Sequence, residues 1–278
     1  MQGQIVKILS DTHFVYSGDT LYSCKCRGKF RNKHILPLVG DNVLFDDKQC
    51  VINDILPRKN ALIRPSVANI DQGFIITSVK SPDFSPNLLD KLLVVMHYYR
   101  VLPIICLTKM DLLTQEEQTN IRTIMKYYEG LGYTVLENDQ INSIKTLFKN
   151  KTSVLTGQTG AGKSTLLNKI DAKLDLETGE ISVALGRGKH TTRCVSLLEL
   201  YGGKVLDTPG FSSLDFAYMS KEEIRDGFIE FKKYPCLFQD CMHLREKECS
   251  VKKALANHKI LPSRYETYEK IINQKQVR

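Results

Sequence analysis

The sequence predicts a multidomain chain with three parts: an N-terminal β-barrel of the OB-fold kind, a central α/β domain, and a mostly helical C-terminal domain. Three observations carry this. Residues 1–63 are short β-rich runs between glycine turns, and from about residue 72 strand and helix patterns alternate. After about residue 217 the chain turns helical and basic around a cysteine-rich loop. The expected boundaries are 1–63, 64–217 and 218–278.

In the first part, QIVKIL, HFVYS, TLYSCKC, KFRNKHI, DNVLFD and CVINDILP are separated by Gly18-Asp19, Gly28 and Gly40-Asp41. Five or six strands in about sixty residues, with no helix of normal length, suit a small antiparallel barrel. In the second part GFIITSV (73–79) reads as a buried strand, and Pro86 opens a helix through Arg100 with Leu88, Leu89, Leu92, Leu93 and Met96 on one face. A strand at 101–108, a helix at 115–129, a strand at 133–137 and a short helix at 140–149 come next. SVLTG (153–157) is a strand running into a glycine-rich loop and a helix from Lys163. CVSLLEL and KVLD, joined at Gly202-Gly203, read as a hairpin.

Composition bounds the rest. Hydrophobic residues at 42% and charged residues at 25% of 278 exclude wholesale disorder. No run of eighteen apolar residues and no signal-peptide pattern occurs, so no membrane span is expected and the eight cysteines read as reduced thiols or metal ligands in a cytoplasmic protein. The net charge of +8 is unevenly spread: basic and acidic residues number 9 and 6 in 1–63, 17 and 16 in 64–217, and 13 and 9 in 218–278. The centre is nearly neutral, and the flanks hold the charge suited to a polyanionic partner.

Gly157-Gln158-Thr159-Gly160-Ala161-Gly162-Lys163-Ser164 fits the G-x-x-x-x-G-K-[ST] phosphate loop and lies between a strand and a helix, where such a loop works. Its backbone N–H groups would wrap phosphates, Lys163 would reach the β- and γ-phosphates, and Ser164 would ligate Mg²⁺, with Thr165 beside it. Thr108-Lys109-Met110-Asp111, at the end of a strand, matches the [NT]-K-x-D pattern that reads guanine. Asp111 would accept from guanine N1–H and the 2-amino group, a donor pair that adenine lacks. Taken alone, this tetrapeptide could equally be a helix start capped by Asp111. Asp207-Thr208-Pro209-Gly210 matches D-x-x-G, with Asp207 on Mg²⁺ and the Gly210 amide at the γ-phosphate, where a plain Pro-Gly turn is the other reading. In GRGKHTTRC, Thr192 is the first candidate to close over Mg²⁺ and Thr191 the second. The guanine motif precedes the phosphate loop, the reverse of the usual order, and a circular permutation accounts for this.

Cys236, Cys241, His243 and Cys249 form C-x4-C-x-H-x5-C, four donors that suit a closed, structural tetrahedral Zn²⁺ site. Buried thiols or a disulfide are the competing readings. Cys24, Cys26, Cys50, Cys106 and Cys194 fall in strand patterns and read as core or incidental.

The order TKMD, GQTGAGKS, HTT, DTPG, together with the barrel, its PLVGDNV segment (37–43) and the cysteine finger, closely resembles the ribosome small-subunit-dependent GTPase A family. That resemblance spans essentially the whole chain. It implies a zinc-binding GTPase with low intrinsic turnover, stimulated by the small ribosomal subunit and acting in its late maturation. It also implies the zinc ligands Cys236, Cys241, His243 and Cys249. One departure is that no base-flanking S-A type motif is legible near Tyr133–Asn138. Phe211 comes after DTPG where many GTPases keep a water-orienting glutamine, so the isolated chain should hydrolyse slowly. His190 resembles a histidine proposed for that role in the family, and a surface-loop histidine is the alternative.

Lys25, Arg27, Lys29, Arg31 and Lys33 alternate with no intervening acid, so on one strand they would share a face opposite Cys26 and Phe30, and a break of that strand into a hairpin at Gly28 would leave the basic patch in place. That face suits irregular or single-stranded rRNA through phosphate contacts, although a charge run is commonly just a solvated face. Tyr265, Tyr268 and Ile272, with Arg264, Lys270 and Lys275 beside them, would pack or touch RNA, packing being favoured for the apolar members. A monomer binding GTP or GDP is expected. The alternatives are a GTP-controlled rRNA-binding scaffold without turnover and a P-loop ATPase.

Overall fold

The computed structural model describes residues 1–28, 30, 36–63, 65–171, 196–207 and 216–276. Its first five strands are β1 (Gln2–Leu9), β2 (Thr12–Ser17), β3 (Thr20–Cys26), β4 (Asn42–Asp46) and β5 (Val51–Ile55). They pair in the order β1-β2-β3-β5-β4, and β4 returns to β1, closing a five-stranded barrel of the OB type. The period-two alternation of the strands directs Ile5, Val15, Cys24, Val43, Phe45 and Ile52 inward, and Phe30 plugs the same core.

The expected basic strand stops early. β3 ends at Cys26, and the Phe30 amide then donates to the Arg27 carbonyl at 3.2 Å, a turn rather than continued strand. Lys25 and Arg27 are exposed, whereas Lys29, Arg31 and Lys33 lie outside the described residues. Glycine at 28, a poor strand former, is the local reason for the break.

The PLVGDNV segment ties the barrel to the central domain. Gly40 has φ +95, and a Cβ there would overlap the Ala68 carbonyl, so only glycine allows the approach. Asp41 is fully buried and takes a two-pronged pair from Arg58 at 2.6 and 2.7 Å. A short ribbon, β6 (Ala61–Leu62) with β7 (Val67–Ala68), leads into the central domain.

That domain is a parallel sheet of β8 (Gln72–Ser78), β9 (Leu102–Thr108), β10 (Thr134–Glu137), β11 (Thr152–Gly157) and β13 (Gly203–Asp207), with β12 (Ser196–Leu200) antiparallel to β13. The order is β10-β9-β8-β11-β13-β12, and β12 meets β1 of the barrel at Ser196 and Lys7, so one sheet runs through both modules. The helices are α1 (Pro86–Tyr98), α2 (Gln115–Gly130), α3 (Ile141–Phe148) and α4 (Lys163–Ile170). Ser85 caps α1 ahead of its Pro86, and Thr114 with Glu117 forms a capping box on α2. α1 and α2 bury Leu89, Leu92, Leu93, Met96, Met125 and Tyr128 on one face of the sheet. α3 and α4 bury Ile144, Phe148, Leu166, Leu167 and Ile170 on the other.

The C-terminal part contains α5 (Lys221–Asp226), a 3-10 turn (Ile229–Lys233), α6 (Ser250–Ala256) and α7 (Pro262–Gln276). Its core includes Tyr265, Tyr268 and Ile272 together with Val94 of α1. Arg264, expected beside a possible RNA face, is instead fully buried. Its guanidinium donates to both Glu230 oxygens at 2.7 and 2.6 Å and to Asp90 Oδ1 at 2.9 Å, and the Tyr128 hydroxyl donates to the same Asp90 oxygen. Burial alone would lower the guanidinium's pKa, but the two carboxylates hold it well above its ordinary value. This network fastens α7 to α1. Among the described residues no helix is long and apolar enough to cross a membrane.

Candidate functional site

Parallel strands deliver the phosphate loop and the TKMD segment to the same carboxyl-terminal end of the sheet, as chain direction in such a sheet requires. β11 ends at Gly157, in register with Ile76 of β8, and β8 in turn sets Ser78 opposite Thr108 of β9. Gly157 has φ +140 and a Cβ would overlap the Ile76 carbonyl oxygen, so a side chain would push the loop off the sheet. Gly160 (φ +77) and Gly162 (φ +90) complete the left-handed bends that turn the loop into α4.

Across the gap, the Thr108 hydroxyl donates to the Ala161 carbonyl at 2.7 Å. Residues 53 positions apart in the chain are thereby locked edge to edge. Lys109 takes φ +63, and its ammonium donates to the Ser81 carbonyl. Met110 is buried and Asp111 exposed in the 3-10 turn Met110–Leu112. The Lys163 ammonium donates to the carbonyls of Gly157 and Gln158 at 3.0 and 2.7 Å, spanning its own loop. Burial lowers its pKa, a desolvation penalty that a polyanion beside it would relieve.

Gln158 is half-buried, Ala161 and Ser164 are buried, and Thr159, Gly160 and Thr165 are exposed. The Ser164 hydroxyl belongs to the first turn of α4, where amide donors and the helix dipole favour anions. Asp207 ends β13, parallel to and beside β11. Thr191, Thr192, His190, Gly210, Phe211 and Cys194 lie outside the described residues.

β10 lies beside β9, and the Asn138 amide donates to the Leu107 carbonyl at 2.9 Å, so residues 138–140 flank the TKMD segment.

The cysteine cluster is compact. The ligand atoms of Cys236, Cys241, His243 and Cys249 all lie within 4.8 Å of one another. His243 Nδ1 is 3.5, 3.3 and 3.3 Å from the three sulfurs, and Cys236 and Cys249 sulfurs are 3.7 Å apart. A tetrahedral ion with bonds of about 2.3 Å to sulfur and about 2.0 Å to nitrogen would have S–S and S–N edges of roughly 3.8 and 3.5 Å. The donors therefore fit one. Burial pushes the Cys241 thiol up to about 12 and raises Cys249, while amides of Ser250 and Val251 hold Cys236 below its ordinary value against the same burial. Burial also lowers His243, leaving a neutral imidazole able to ligate. Around the cluster, Tyr265 and Tyr268 hydroxyls donate to the His243 and Met242 carbonyls, and Glu246 accepts from the Met242 and Leu244 amides. These bonds brace the ligand loop. The remaining described cysteines form no such group: Cys24 and Cys106 are core, Cys26 and Cys50 half-buried.

A family model described as RsgA GTPase matches residues 55–217, more than half of the chain. The chain belongs to the RsgA GTPase family. A second model, the RsgA N-terminal domain, matches residues 2–50. Similar proteins include the small ribosomal subunit biogenesis GTPase RsgA of Enterococcus faecalis, 46% identical over 276 residues and covering 96% of this chain and 93% of that one. RsgA 2 of Oceanobacillus iheyensis is 44% identical over 287 residues, covering 100% and 98%. Among solved structures, YjeQ from Thermotoga maritima matches with TM-score 0.85 at 34% identity, over 100% of this RsgA-family chain and 99% of that one. YloQ, described as a circularly permuted GTPase, matches with TM-score 0.82 at 35% identity over 99% and 94%.

Proposed function

We propose that this chain is a GTPase that binds the small ribosomal subunit and assists its late maturation, turning over slowly alone and faster on the subunit. The observation that carries the nucleotide reading is the 2.7 Å bond from Thr108 to Ala161, which makes one site of the guanine-type motif and the phosphate loop. Support for the ribosomal half comes from the names of its relatives.

In this reading the amides of residues 157–165 and the Lys163 ammonium hold the phosphates, and Thr108, Lys109, Met110 and Asp111 hold the base. Asp111 accepts from the two guanine donors, and ATP would leave it without them. Ser164, Thr192 and Asp207 hold Mg²⁺, which when bound offsets phosphate charge. Gly210 contacts the γ-phosphate, and His190 orients the attacking water that Phe211 cannot. Cys236, Cys241, His243 and Cys249 hold one structural Zn²⁺. Lys25, Arg27, Lys29, Arg31 and Lys33 contribute rRNA contacts from the barrel. The modules divide at 63 and 217, and the chain acts as a cytoplasmic monomer with no membrane partner.

Phosphate release from GTP, measured with and without purified small subunits, tests this. Stimulation by the subunit is the expected result, lost in His190→Ala. GTP binding with no turnover on the subunit would leave a nucleotide-controlled scaffold instead.

A further inference from the structure

The turn from β12 to β13 holds a residue that its geometry does not favour. Tyr201 and Gly202 take φ +53 and +72, the paired left-handed conformation of a tight hairpin turn. Asparagine, aspartate or glycine suits the first of these positions, whereas a tyrosine is strained there. Burial does not explain it, because Tyr201 is 53% exposed.

The turn is also held rigidly. The Asn150 amide donates to the Gly202 carbonyl at 2.8 Å, the Lys204 amide to the Lys151 carbonyl at 2.8 Å, and a Cβ on Gly203 would overlap the Phe148 carbonyl. Lysines lie around the turn. The Lys145 ammonium sits 4.6 Å from the Tyr201 ring centroid, and the Lys149 stem lies against Gly202. Lys149 and Lys151 are exposed, and Lys204 donates to Gln4 of the barrel. Among the described residues Lys145, Lys149 and Lys151 enter no ion pair, and Glu199 is the one acid lining the open cavity of about 590 Å³ beneath Tyr201.

This corner lies at the opposite ends of β11 and β13 from Gly157 and Asp207, away from the phosphate loop. We propose that it is a single-stranded RNA contact surface, in which an unpaired base stacks on Tyr201 while Lys145, Lys149 and Lys151 hold the adjoining phosphates. A rigid, exposed ring among unpaired cations is the pairing that single strands require. An acidic protein segment would use the lysines but gives no reason for a strained aromatic. The assignment rests on the ribosomal reading above and adds to it a surface on the nucleotide domain.

The test uses the full chain, a short fluorescent single-stranded RNA of mixed sequence, and purified small subunits. Tyr201→Asn suits the turn and removes the ring, so RNA binding should weaken roughly tenfold while Tyr201→Phe binds as wild type. Lys149→Gln with Lys151→Gln should lower the slope of log affinity against log salt by about 1.4. GDP binding should not change, and the melting temperature should not fall, Tyr201→Asn raising it if anything by relief of the left-handed strain. Wild-type RNA affinity in Tyr201→Asn, or loss of subunit binding alone with RNA binding intact, overturns the proposal. If the wild-type chain binds neither RNA nor subunit, the ribosomal reading itself fails; if it binds both and only Tyr201→Asn is silent, the corner alone fails.

Discussion

Replacing Arg264 by methionine isolates what joins the C-terminal module to the nucleotide domain. The substitution removes the two-pronged bond to Glu230 and the bond to Asp90, leaving carboxylates that are 1% and 0% exposed without their cation. Breaking a buried pair from one side costs about 3–5 kcal/mol, a large part of a typical stability of about 5–15 kcal/mol. At about 2–4 °C per kcal/mol, thermal unfolding monitored by circular dichroism should fall by roughly 6–20 °C. The sign of the pH dependence comes from Asp90, whose carboxyl burial already raises above its ordinary value against the opposing pull of Arg264. Without Arg264 that pKa rises further. A carboxyl raised in the folded state favours folding at low pH and loses that contribution as pH climbs through the raised value. The deficit of Arg264→Met should therefore shrink between pH 7 and pH 5, and Asp90→Asn with Glu230→Gln in the same chain should recover at least half of it. A cost under about 1 kcal/mol, far below the range for a broken buried pair, or one independent of pH, would refute the reasoning.

Gly157→Ala should abolish fluorescent GDP binding, because its Cβ meets the Ile76 carbonyl, whereas Gly162→Ala, with the nearest Thr108 atom at 3.8 Å, should cost only about 1–2 kcal/mol of backbone strain. Equal losses in a titration of the two would contradict this. Zinc analysis should find one ion per chain, absent in Cys249→Ser, and a strong chelator should lower the melting temperature; full stability without the ion would oppose a structural role. Burial pushes Cys106 up to about 12 and Cys24 to about 11, so both should resist iodoacetamide at pH 8 in the native chain, as read by peptide mass mapping.

Local signals were readable from the sequence, and long-range pairings were not. The phosphate loop declares itself in eight consecutive residues whose glycines have a conformational purpose; the hairpin is legible too, but its turn is Tyr201-Gly202, one residue earlier than the glycine pair suggests, and Gly203 already belongs to β13. The metal ligands fall within fourteen residues, so their spacing already implied a cluster. The buried pairing of Arg264 is not legible in the sequence because its partners Asp90 and Glu230 are 174 and 34 residues away, and an arginine on a polar helix looks solvated until its neighbours are known. For the basic run Lys25–Lys33 the limit is local: period-two spacing has meaning only while the strand lasts, β3 ends at Cys26, and Lys29, Arg31 and Lys33 lie outside the described residues. Nothing local marked β1 pairing with β12, which makes one sheet of two modules.

The central claim is that TKMD and the phosphate loop, though in reversed order, form one guanine-selective site. Competition against fluorescent GDP, run on wild type and Asp111→Asn, tests it most directly. GTP should displace the probe from wild type while ATP should not, and Asp111→Asn should lose guanine affinity but accept a xanthine nucleotide, whose 2-oxo group matches the amide donor. Equal displacement by ATP and GTP, or unchanged guanine affinity in Asp111→Asn, would contradict it.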